Sequence, residues 1–430
     1  MRQIKKCAMM ASVLVMILGS LLVACAKPSP PPTPTPEKPA QTLVIGNMAP
    51  LQTKEGIQIK NWLQLLADRL NEKGGLVVKG QRYNVKVITY DDQYSADAGK
   101  ACAERLVYQD KVKHIVCMWA SAPLIATLSV TEPNKVFVIG DGSTEKTLDP
   151  DIKYFHRVPT ITFIQGMTAK RFEWWKSLGL PATCVVIDRD DETGRAEAGR
   201  LEKAYKALGA EVLGVLFYPR GTTDFTPVVT KMMSLNPGFV DTGTTNIESF
   251  PLCKAIYEAG YRGGINYNNI SGTWKEIVEK ISPKALEKAT FALKDPRVYC
   301  QKDEEVMELT RAYEQRYGVW ETDAVNWVVS WFAFIDAVKK ADSLDPDDLC
   351  KALEGMTFKA LTTGLEYTFI PRPDLRNIRT VDDCADSWIA TFPAGELTPT
   401  LHVSAKENFE ATIKILGMEK AYADIGYKFK

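Results

Sequence analysis

The sequence is poor in the residues and motifs that support most enzymatic and metal chemistry. Its 430 residues include only three histidines and no C-x-x-C pair, which disfavours a zinc or redox centre. It also lacks a P-loop, a G-x-S-x-G elbow, an H-E-x-x-H motif and an EF-hand loop. We therefore expect no enzyme, no metal site and no cofactor.

The sequence also has no excess of positive or negative charge. Lys and Arg total 53, Asp and Glu also total 53, and the formal net charge is zero. No basic block stands out, so binding to a polyanion such as nucleic acid is unsupported. The composition, 45% hydrophobic and 25% charged, is that of a folded globular protein. A chain of this length exceeds what one ordinary core accommodates.

Two local patterns only superficially resemble functional motifs. Residues 140–145 begin like G-x-G-x-x-G but end in Glu145, so nucleotide binding is not indicated. Four acidic residues follow a predicted strand and would suit a metal site: Asp188, Asp190, Asp191 and Glu192. Acidic residues also complement the positive end of a helix dipole. We interpret this cluster as a loop that opens a helix.

The amino terminus predicts export and lipidation. Arg2, Lys5 and Lys6 precede an uncharged stretch at residues 8–24, a pattern typical of a secretory signal peptide. Residues 22–25 read LVAC, which is similar to the bacterial lipobox, in which the cysteine is diacylated. The alternative is a membrane anchor, for which 17 residues is short. We predict a signal peptide over residues 1–24 and lipidation at Cys25.

A proline-rich linker follows over residues 25–40. Seven prolines lie between Pro28 and Pro39, a composition that favours extended polyproline II and a semi-rigid spacer.

Seven cysteines follow Cys25 in the sequence. Cys117 and Cys184 lie in apolar runs, so we expect their side chains to be buried. A disulfide between Cys350 and Cys384 stays open. The predicted protein is a folded domain tethered to a membrane, outside the cytoplasm.

The remaining chain alternates between strand-like and helical periodicity. Strand-like runs at residues 42–46, 84–90, 112–118 and 135–139 are separated by helical runs at residues 56–73, 98–108 and 122–130. The same rhythm restarts after residue 159 and continues to residue 267. Such alternation predicts two α/β units with mostly parallel sheets. Residues 303–341 add two helices, whose aromatic residues we interpret as core packing: Trp327, Trp331, Phe332 and Phe334.

Two loops in the first unit suit an anionic ligand. In parallel α/β sheets, ligands bind beyond the carboxyl ends of the strands. After the strand at residues 112–118, Ser121 is expected to cap a helix, and after the strand at residues 135–139, residues 141–144 are small and polar. Their N–H groups and hydroxyls suit a carboxylate, although capping and turn formation explain them equally. Trp119 precedes the cap, where it either covers an apolar ligand group or packs in the core.

Five motifs in order resemble a known family. They are residues 45–51 (IGNMAPL), 70–76 (LNEKGGL), 90–92 (YDD), 223–229 (TDFTPVV) and 352–356 (ALEGM). Together they resemble the type I substrate-binding proteins of ABC transporters, specifically the branched-chain amino acid (Leu/Ile/Val) family. The resemblance implies two Rossmann-like lobes joined by three hinge crossovers. The lobes would close on a small molecule and present it to membrane permeases. We expect a monomer that binds no nucleic acid.

The resemblance also implies lobe boundaries and site residues. Lobe 1 would contain residues 41–159 and 290–385, and lobe 2 residues 160–289 and 386–430; no role follows for residues 404–430. Ser121 matches the family serine that bonds the ligand carboxylate, and Gly142 and Ser143 match a second pair at the carboxylate. The aliphatic amino acid binders have different residues at the other end: a Tyr at Glu192 or Thr193, an aromatic near Thr244 or Thr245, and an acid at Asn268 or Asn269.

Without that acid, the α-ammonium of an amino acid lacks its anchor, and burying an unpaired ammonium is costly. We therefore expect a carboxylate ligand without an α-amino group, such as an aromatic acid, at Trp119, Ser121, Gly142, Ser143, Thr193, Thr244 and Asn269. An amino acid, an amide or a short peptide stays open as the ligand. Three alternative functions also stay open. They are a binding protein that serves a membrane sensor, a surface-anchored hydrolase and a purely structural lipoprotein.

Overall fold

The computed structural model describes residues 39–142, 144–149, 151–158, 165–243, 248–267, 274–293, 295–318, 324–371, 373 and 386–428. The predicted signal peptide, Cys25 and nearly all of the proline-rich linker lie outside these ranges. Within the ranges, no helix combines the length and the apolar character that crossing a membrane requires. From residue 40 onward the protein forms two α/β lobes, as the alternating periodicity predicts.

The first lobe contains a six-stranded sheet in the order β2-β3-β1-β4-β5-β6. Only the pairing of β2 with β3 is antiparallel. The strands are β1 (Gln41–Ala49), β2 (Leu76–Val78), β3 (Gln81–Asp91), β4 (His114–Met118), β5 (Phe137–Gly140) and β6 (Phe155–Arg157). Between them lie α1 (Lys54–Glu72), α2 (Ala96–Glu104), which continues into a π-helical turn at Arg105–Gln109, and α3 (Ser121–Thr131).

The helix α1 shows how the sequence sets these elements. Thr53 accepts the Gly56 N–H at 3.1 Å and so caps the amino end of the helix. Ile59, Trp62 and Leu63 recur at helical spacing and are fully buried against the sheet. Helix and strand alternate in this way because each buries one apolar face against the other.

The second lobe contains a seven-stranded sheet in the order β15-β14-β11-β10-β9-β7-β8. Its parallel strands are β7 (Thr183–Arg189), β8 (Glu211–Tyr218), β9 (Phe239–Asp241), β10 (Gly264–Asn266) and β11 (Ala289–Leu293). The accompanying helices are α4 (Gln165–Ser177), α5 (Glu192–Ala207), α6 (Thr226–Ser234), α7 (Ser249–Glu258) and α8 (Trp274–Lys280). The sequence-based lobe boundary at residue 290 falls inside β11.

After β11 the chain returns to the first lobe. This segment contains α9 (Pro296–Tyr299), α10 (Glu304–Tyr317), α11 (Val329–Ala341), α12 (Pro346–Ala352) and the hairpin β12 (Thr357–Ala360) and β13 (Leu365–Thr368). Its side chains share one apolar core with β1, α1 and β4. The two helices predicted within residues 303–341 are therefore present, and Trp327, Trp331 and Phe334 are buried, as expected.

A third passage brings the chain back to the second lobe. The strands β14 (Ser387–Thr391) and β15 (Thr398–Val403) add to its sheet in antiparallel fashion. They precede α13 (Ala405–Leu416) and α14 (Glu419–Asp424). A capping box of Ser404 and Glu407 caps the amino end of α13. Short 3-10 turns lie at Glu145–Leu148, Pro283–Leu286 and Pro393–Gly395. Residues 404–428, to which the sequence pattern assigns no role, thus form part of the second lobe.

Five cysteines of the described part of the chain are free thiols: Cys102, Cys117, Cys184, Cys253 and Cys300. Cys117 and Cys184 are fully buried, as predicted from their apolar neighbours. Cys384 lies outside the described residues, so its pairing with Cys350 stays an open prediction.

Candidate ligand-binding site

The strand β4 contains a bulge that redirects the chain as it leaves the first sheet. Its pairing with β5 shifts register between Val116 and Met118, and Cys117 between them has φ 56°. The Ser330 hydroxyl accepts the Cys117 N–H at 3.1 Å, and the Asn47 side chain donates to the Val116 and Cys117 carbonyls at 2.9 and 3.1 Å. Bulges often re-aim side chains next to functional sites. This one sets the direction of the following loop.

That loop enters α3 through an uncommon backbone conformation. Ala120 occupies the N-cap position with φ 80° and ψ 132°, and α3 begins at Ser121 itself. The prediction of Ser121 as a side-chain cap is therefore wrong, because a serine cap needs an extended backbone and the turn here is made by Ala120. Such a conformation costs a non-glycine residue about 1–3 kcal/mol and is concentrated at functional sites.

Three aromatic side chains of the first lobe form what we call the aromatic wall. The indole of Trp119 stacks on that of Trp327 with ring centroids 4.3 Å apart, and Tyr94 meets Trp119 edge to face at 5.3 Å. Trp119 and Trp327 are both buried. Trp119 thus packs against other side chains of the core, which is one of the two interpretations that the sequence allows. It lies next to the loop that carries Ser121.

The second predicted loop of the first lobe follows β5. The Asp141 N–H donates to the Met118 carbonyl at 2.8 Å, which ties this loop to the end of β4. Gly142 is buried, and a Cβ there would come within 2.5 Å of Leu124 Cδ2, so any larger residue would have to displace the Leu124 side chain. Ser143 lies outside the described residues.

Two arginines of the second lobe contact the aromatic wall. Arg189 ends β7, and its Nη2 donates to the Tyr94 hydroxyl at 3.3 Å. Arg220 follows β8, and its guanidinium carbon lies 3.3 Å from the centroid of the Tyr94 ring. Cation–π contacts of this kind contribute about 0.5–2 kcal/mol. Tyr94 is therefore a point at which the two lobes touch.

Arg189 stays charged although it is buried. Burial acts to lower its pKa, but Tyr94 and the carboxylates of Asp191, Asp188 and Glu248 raise the pKa above its ordinary value. Its Nε lies 3.5 Å from Asp191 Oδ2. The acidic cluster that the sequence shows after this strand is thus in part a counter-charge for Arg189.

Glu192 makes a further contact between the lobes. It is the first residue of α5, whose N-cap is Asp191, as expected for a helix-opening loop. Its carboxylate accepts from Thr144 Oγ1 at 3.1 Å and pairs with Lys146 Nζ at 3.0 Å, both in the first lobe. The predicted site residue Thr193 is buried in the first turn of the same helix.

A buried polar network lies beneath the second-lobe face. Asp241 ends β9 and accepts from Tyr205 Oη at 2.7 Å, Asn266 Nδ2 at 2.8 Å and Arg171 Nη1 at 3.3 Å. On α5, Glu197 is buried, and burial raises its pKa to about 7. These groups hold charge inside the lobe close to its carboxyl edge.

The structure brings together only part of the predicted site. Trp119, Ser121 and Gly142 lie on two adjacent loops of the first lobe, and Thr193 lies on the facing helix of the second lobe. Ser143, Thr244, Asn269 and the lipidation site Cys25 lie outside the described residues. Sequence reasoning missed Tyr94, Arg189 and Arg220, and it assigned Trp327 to core packing alone. Within the described ranges, no group of three or more His, Cys, Asp or Glu side chains is arranged to hold a metal ion.

A profile of the periplasmic binding protein family matches residues 45–381, more than three quarters of the chain. The chain belongs to this family. This confirms the resemblance that the five motifs carried and the two-lobed α/β fold expected from it. One curated relative, an amino acid binding protein of Pseudomonas aeruginosa, is 25% identical over 195 residues, which span 45% of this chain and half of that relative.

Solved structures share the fold over nearly their whole length. A solute-binding protein of an ABC transporter from Rhodopseudomonas palustris BisB5, in complex with 3,4-dihydroxybenzoic acid, is 19% identical with a TM-score of 0.66 over 85% of this chain and 98% of its own. The leucine-binding protein LivK of Thermotoga maritima is also 19% identical, with a TM-score of 0.66 over 84% and 99%. An R. palustris protein in complex with 4-hydroxybenzoate is 14% identical, with a TM-score of 0.68 over 85% and 97%. At these identities the likeness establishes the fold.

Proposed function

We propose that this protein is the solute-binding component of an ABC importer. In this proposal it captures a small aromatic carboxylate without an α-amino group, in the cleft between its lobes. The observation that carries the proposal is the pairing of two faces: an aromatic wall beside a helix amino terminus on one lobe, and two arginines that contact Tyr94 from the other lobe.

The amino end of α3 supports the carboxylate half of this proposal. A helix amino terminus presents N–H groups and a partial positive charge, which together favour an anion. Ser121 is the first residue of that helix, and Gly142 and Ser143 follow the neighbouring strand. In the proposed complex these residues bond the carboxylate, while the aromatic ring of the ligand lies against Trp119.

The facing residues support a ligand other than an aliphatic amino acid. In the alignment that the resemblance implies, Glu192 or Thr193 replaces the tyrosine of such binders, and Asn268 or Asn269 replaces the acid that holds the α-ammonium. Thr244 or Thr245 replaces the aromatic residue on this side. Two neighbours of known structure were solved with aromatic acids, and another is named for leucine. We infer that the aromatic-acid alternative holds for this chain.

The proposed work is hinge closure. A ligand that contacts both lobes only in the closed form shifts the population toward that form, and a change from 1:99 to 99:1 requires about 5.5 kcal/mol of differential affinity. Contacts such as Arg220 on Tyr94 and Glu192 on Lys146 then add to the closed state. The lobes in this proposal comprise residues 41–159 and 290–385, and residues 160–289 and 386–430, except that β11 belongs to the second sheet.

The amino terminus adds a location. A lipidated Cys25 and a proline-rich spacer would tether the lobes to the outer side of a membrane, where permease subunits receive the ligand. In this proposal the protein is a monomer with no nucleic acid partner, no cofactor and no enzymatic activity.

Calorimetric titration tests the ligand class. The panel contains benzoate, the three monohydroxybenzoates, leucine, isoleucine and succinate. We expect an aromatic acid to bind and the two amino acids not to bind. In parallel, small-angle scattering at saturation should show a smaller radius of gyration. Tight binding of leucine without any aromatic acid, or an unchanged scattering profile at saturation, would contradict the proposal.

A further inference from the structure

The second lobe contains a carboxylate oxygen that is buried without a hydrogen bond. Glu248 directly precedes α7 and is 2% exposed. Its Oε1 accepts the Gly221 N–H at 3.1 Å, whereas its Oε2 is buried and has no partner. Buried polar groups in folded proteins are nearly always hydrogen-bonded, and exceptions call for a specific explanation.

A second unpartnered polar atom belongs to a neighbouring strand end. Tyr218 is the last residue of β8, and it too is 2% exposed. Its ring packs edge to face on Phe225 at 4.9 Å, but its hydroxyl has no hydrogen-bond partner. The Gly221 N–H that donates to Glu248 lies only three residues after Tyr218. The two unpartnered groups therefore lie at the same end of β8.

Both groups adjoin the contact between the lobes. Gly221, which binds Glu248, follows Arg220, whose guanidinium covers the Tyr94 ring of the first lobe. The Glu248 carboxylate also acts on Arg189, which donates to the Tyr94 hydroxyl. Glu248 and Tyr218 thus lie at the carboxyl edge of the second sheet, on the side that meets the aromatic wall.

The chemistry of the two groups selects what would satisfy them. An ionised carboxylate oxygen only accepts hydrogen bonds, whereas a tyrosine hydroxyl both donates and accepts. A ligand hydroxyl can donate to Glu248 and accept from Tyr218, and so pairs both atoms. An ammonium cannot accept a hydrogen bond, and a second carboxylate cannot donate one and would be repelled by Glu248.

We propose that the ligand carries a hydroxyl group at the end opposite its carboxylate, and that this hydroxyl binds between Glu248 and Tyr218. The inference rests on the proposed function, since it assigns the far end of the same ligand. It makes the preferred class hydroxylated aromatic acids, over unsubstituted acids and over aromatic dicarboxylates.

Isothermal titration of the full chain with matched acids tests this. The probes are benzoate, the 2-, 3- and 4-hydroxybenzoates and terephthalate. We expect at least one hydroxybenzoate to bind the wild type 10-fold or more tightly than benzoate, and terephthalate to bind more weakly than benzoate. In Tyr218→Phe and in Glu248→Gln, the preference for the hydroxyl should fall below 3-fold.

Tyr261→Phe is the matched control. Tyr261 is a buried tyrosine of the same lobe, but its hydroxyl donates to backbone carbonyls of Pro237 or Gly264 at 3.3 Å. Its removal should leave the hydroxyl preference unchanged. Thermal melts identify any variant that fails to fold, and the other variant then decides the question.

The outcomes separate the two proposals. If aromatic acids bind but the hydroxyl preference is absent, or survives in both variants, the hydroxyl site is refuted and the aromatic-acid function stands. The unpartnered atoms would then bind only water. If no aromatic acid binds the wild type, the proposed function fails and the hydroxyl site fails with it.

Discussion

The two lobes present different kinds of surface to each other. The first lobe offers stacked aromatic rings and backbone groups, which are fixed by a bulge and by hydrogen bonds within that lobe. The second lobe offers charged side chains that reach across: Arg189, Arg220 and Glu192 each contact a first-lobe residue. A surface fixed within its own lobe needs no partner to take shape, whereas the side chains that reach across depend on the other lobe for their contacts. If the proposed hinge closure occurs, the first lobe would bind the ligand first and the second lobe would supply the contacts of closure.

The largest expected effect comes from the network that supports the second-lobe face. In Asp241→Ala, Arg171 loses its carboxylate partner inside the lobe, and we expect the free energy of unfolding to fall by about 3–5 kcal/mol. Urea denaturation followed by circular dichroism measures this. Asp190→Ala is the control, because Asp190 pairs with Arg195 at the surface, where such pairs contribute about 0–1 kcal/mol. Equal losses in the two variants would contradict the prediction.

The pH dependence of stability distinguishes a buried from a half-buried carboxyl on the same helix. Burial raises the pKa of Glu197 from 4.5 to about 7, so the folded chain keeps a proton that the unfolded chain releases above pH 4.5. The stability that the protonated Glu197 contributes is therefore fully present below pH 4.5, and it is lost as the pH rises toward 7. The contribution of Glu197 to this loss is about 3 kcal/mol.

Denaturation curves from pH 4.5 to 7 test this contribution. Glu197→Gln should gain stability relative to wild type across that range, and Glu202→Gln, on the same helix but only half-buried, should not. The first lobe has a counterpart in Asp92, whose pKa burial also raises to about 7. Asp92→Asn should behave like Glu197→Gln, with the same sign. Parallel curves for all variants and wild type would refute the assignment.

A smaller effect is expected where the first-lobe loop is held. Ser330→Ala removes the acceptor of the buried Cys117 N–H, and we expect a loss of about 1–3 kcal/mol in the free energy of unfolding. If the bulge fixes the binding loop, ligand affinity should fall as well. Ser129→Ala, an exposed serine of α3 that bonds only its own helix, should change neither quantity. Unchanged affinity in Ser330→Ala would show that the loop does not depend on this bond.

The smallest effect is expected at the contact between the lobes. Arg220→Ala removes the cation–π contact with Tyr94, and a loss of about 0.5–2 kcal/mol from the closed state corresponds to about 2- to 30-fold weaker ligand binding. Arg262→Ala is the control, because Arg262 covers Tyr257 within the second lobe. Titration with an aromatic acid that binds the wild type measures both. Unchanged affinity in Arg220→Ala would show that the contact of Arg220 with Tyr94 does not stabilise the closed form.

The sequence predicts the fold much better than it predicts the site. Strand and helix order follow from local periodicity, because each buried face repeats over a few residues. Trp119 and Gly142 could be proposed because they directly follow strands whose carboxyl ends must share an edge. The contacts of Tyr94 with Arg189 and Arg220 join residues about a hundred positions apart in different lobes, and no local pattern encodes them.

The error at Ser121 has the same kind of origin. A serine before a helical run is usually a cap, but the bulge at Cys117, held by residues distant in sequence, delivers the chain to α3 through Ala120 instead. Trp327 illustrates the converse. Its assignment to core packing is right, yet its stacking partner is Trp119, which a helical pattern within residues 303–341 cannot reveal.

The buried thiols bear on the chemistry of the folded chain. Burial raises the pKa of Cys117, Cys184 and Cys253 to about 12, and that of Cys102 to about 11. Only a thiolate attacks a disulfide, so at neutral pH these four sulfurs are close to inert toward exchange. Oxidative mispairing of these four thiols is therefore a hazard of the unfolded chain rather than of the folded one.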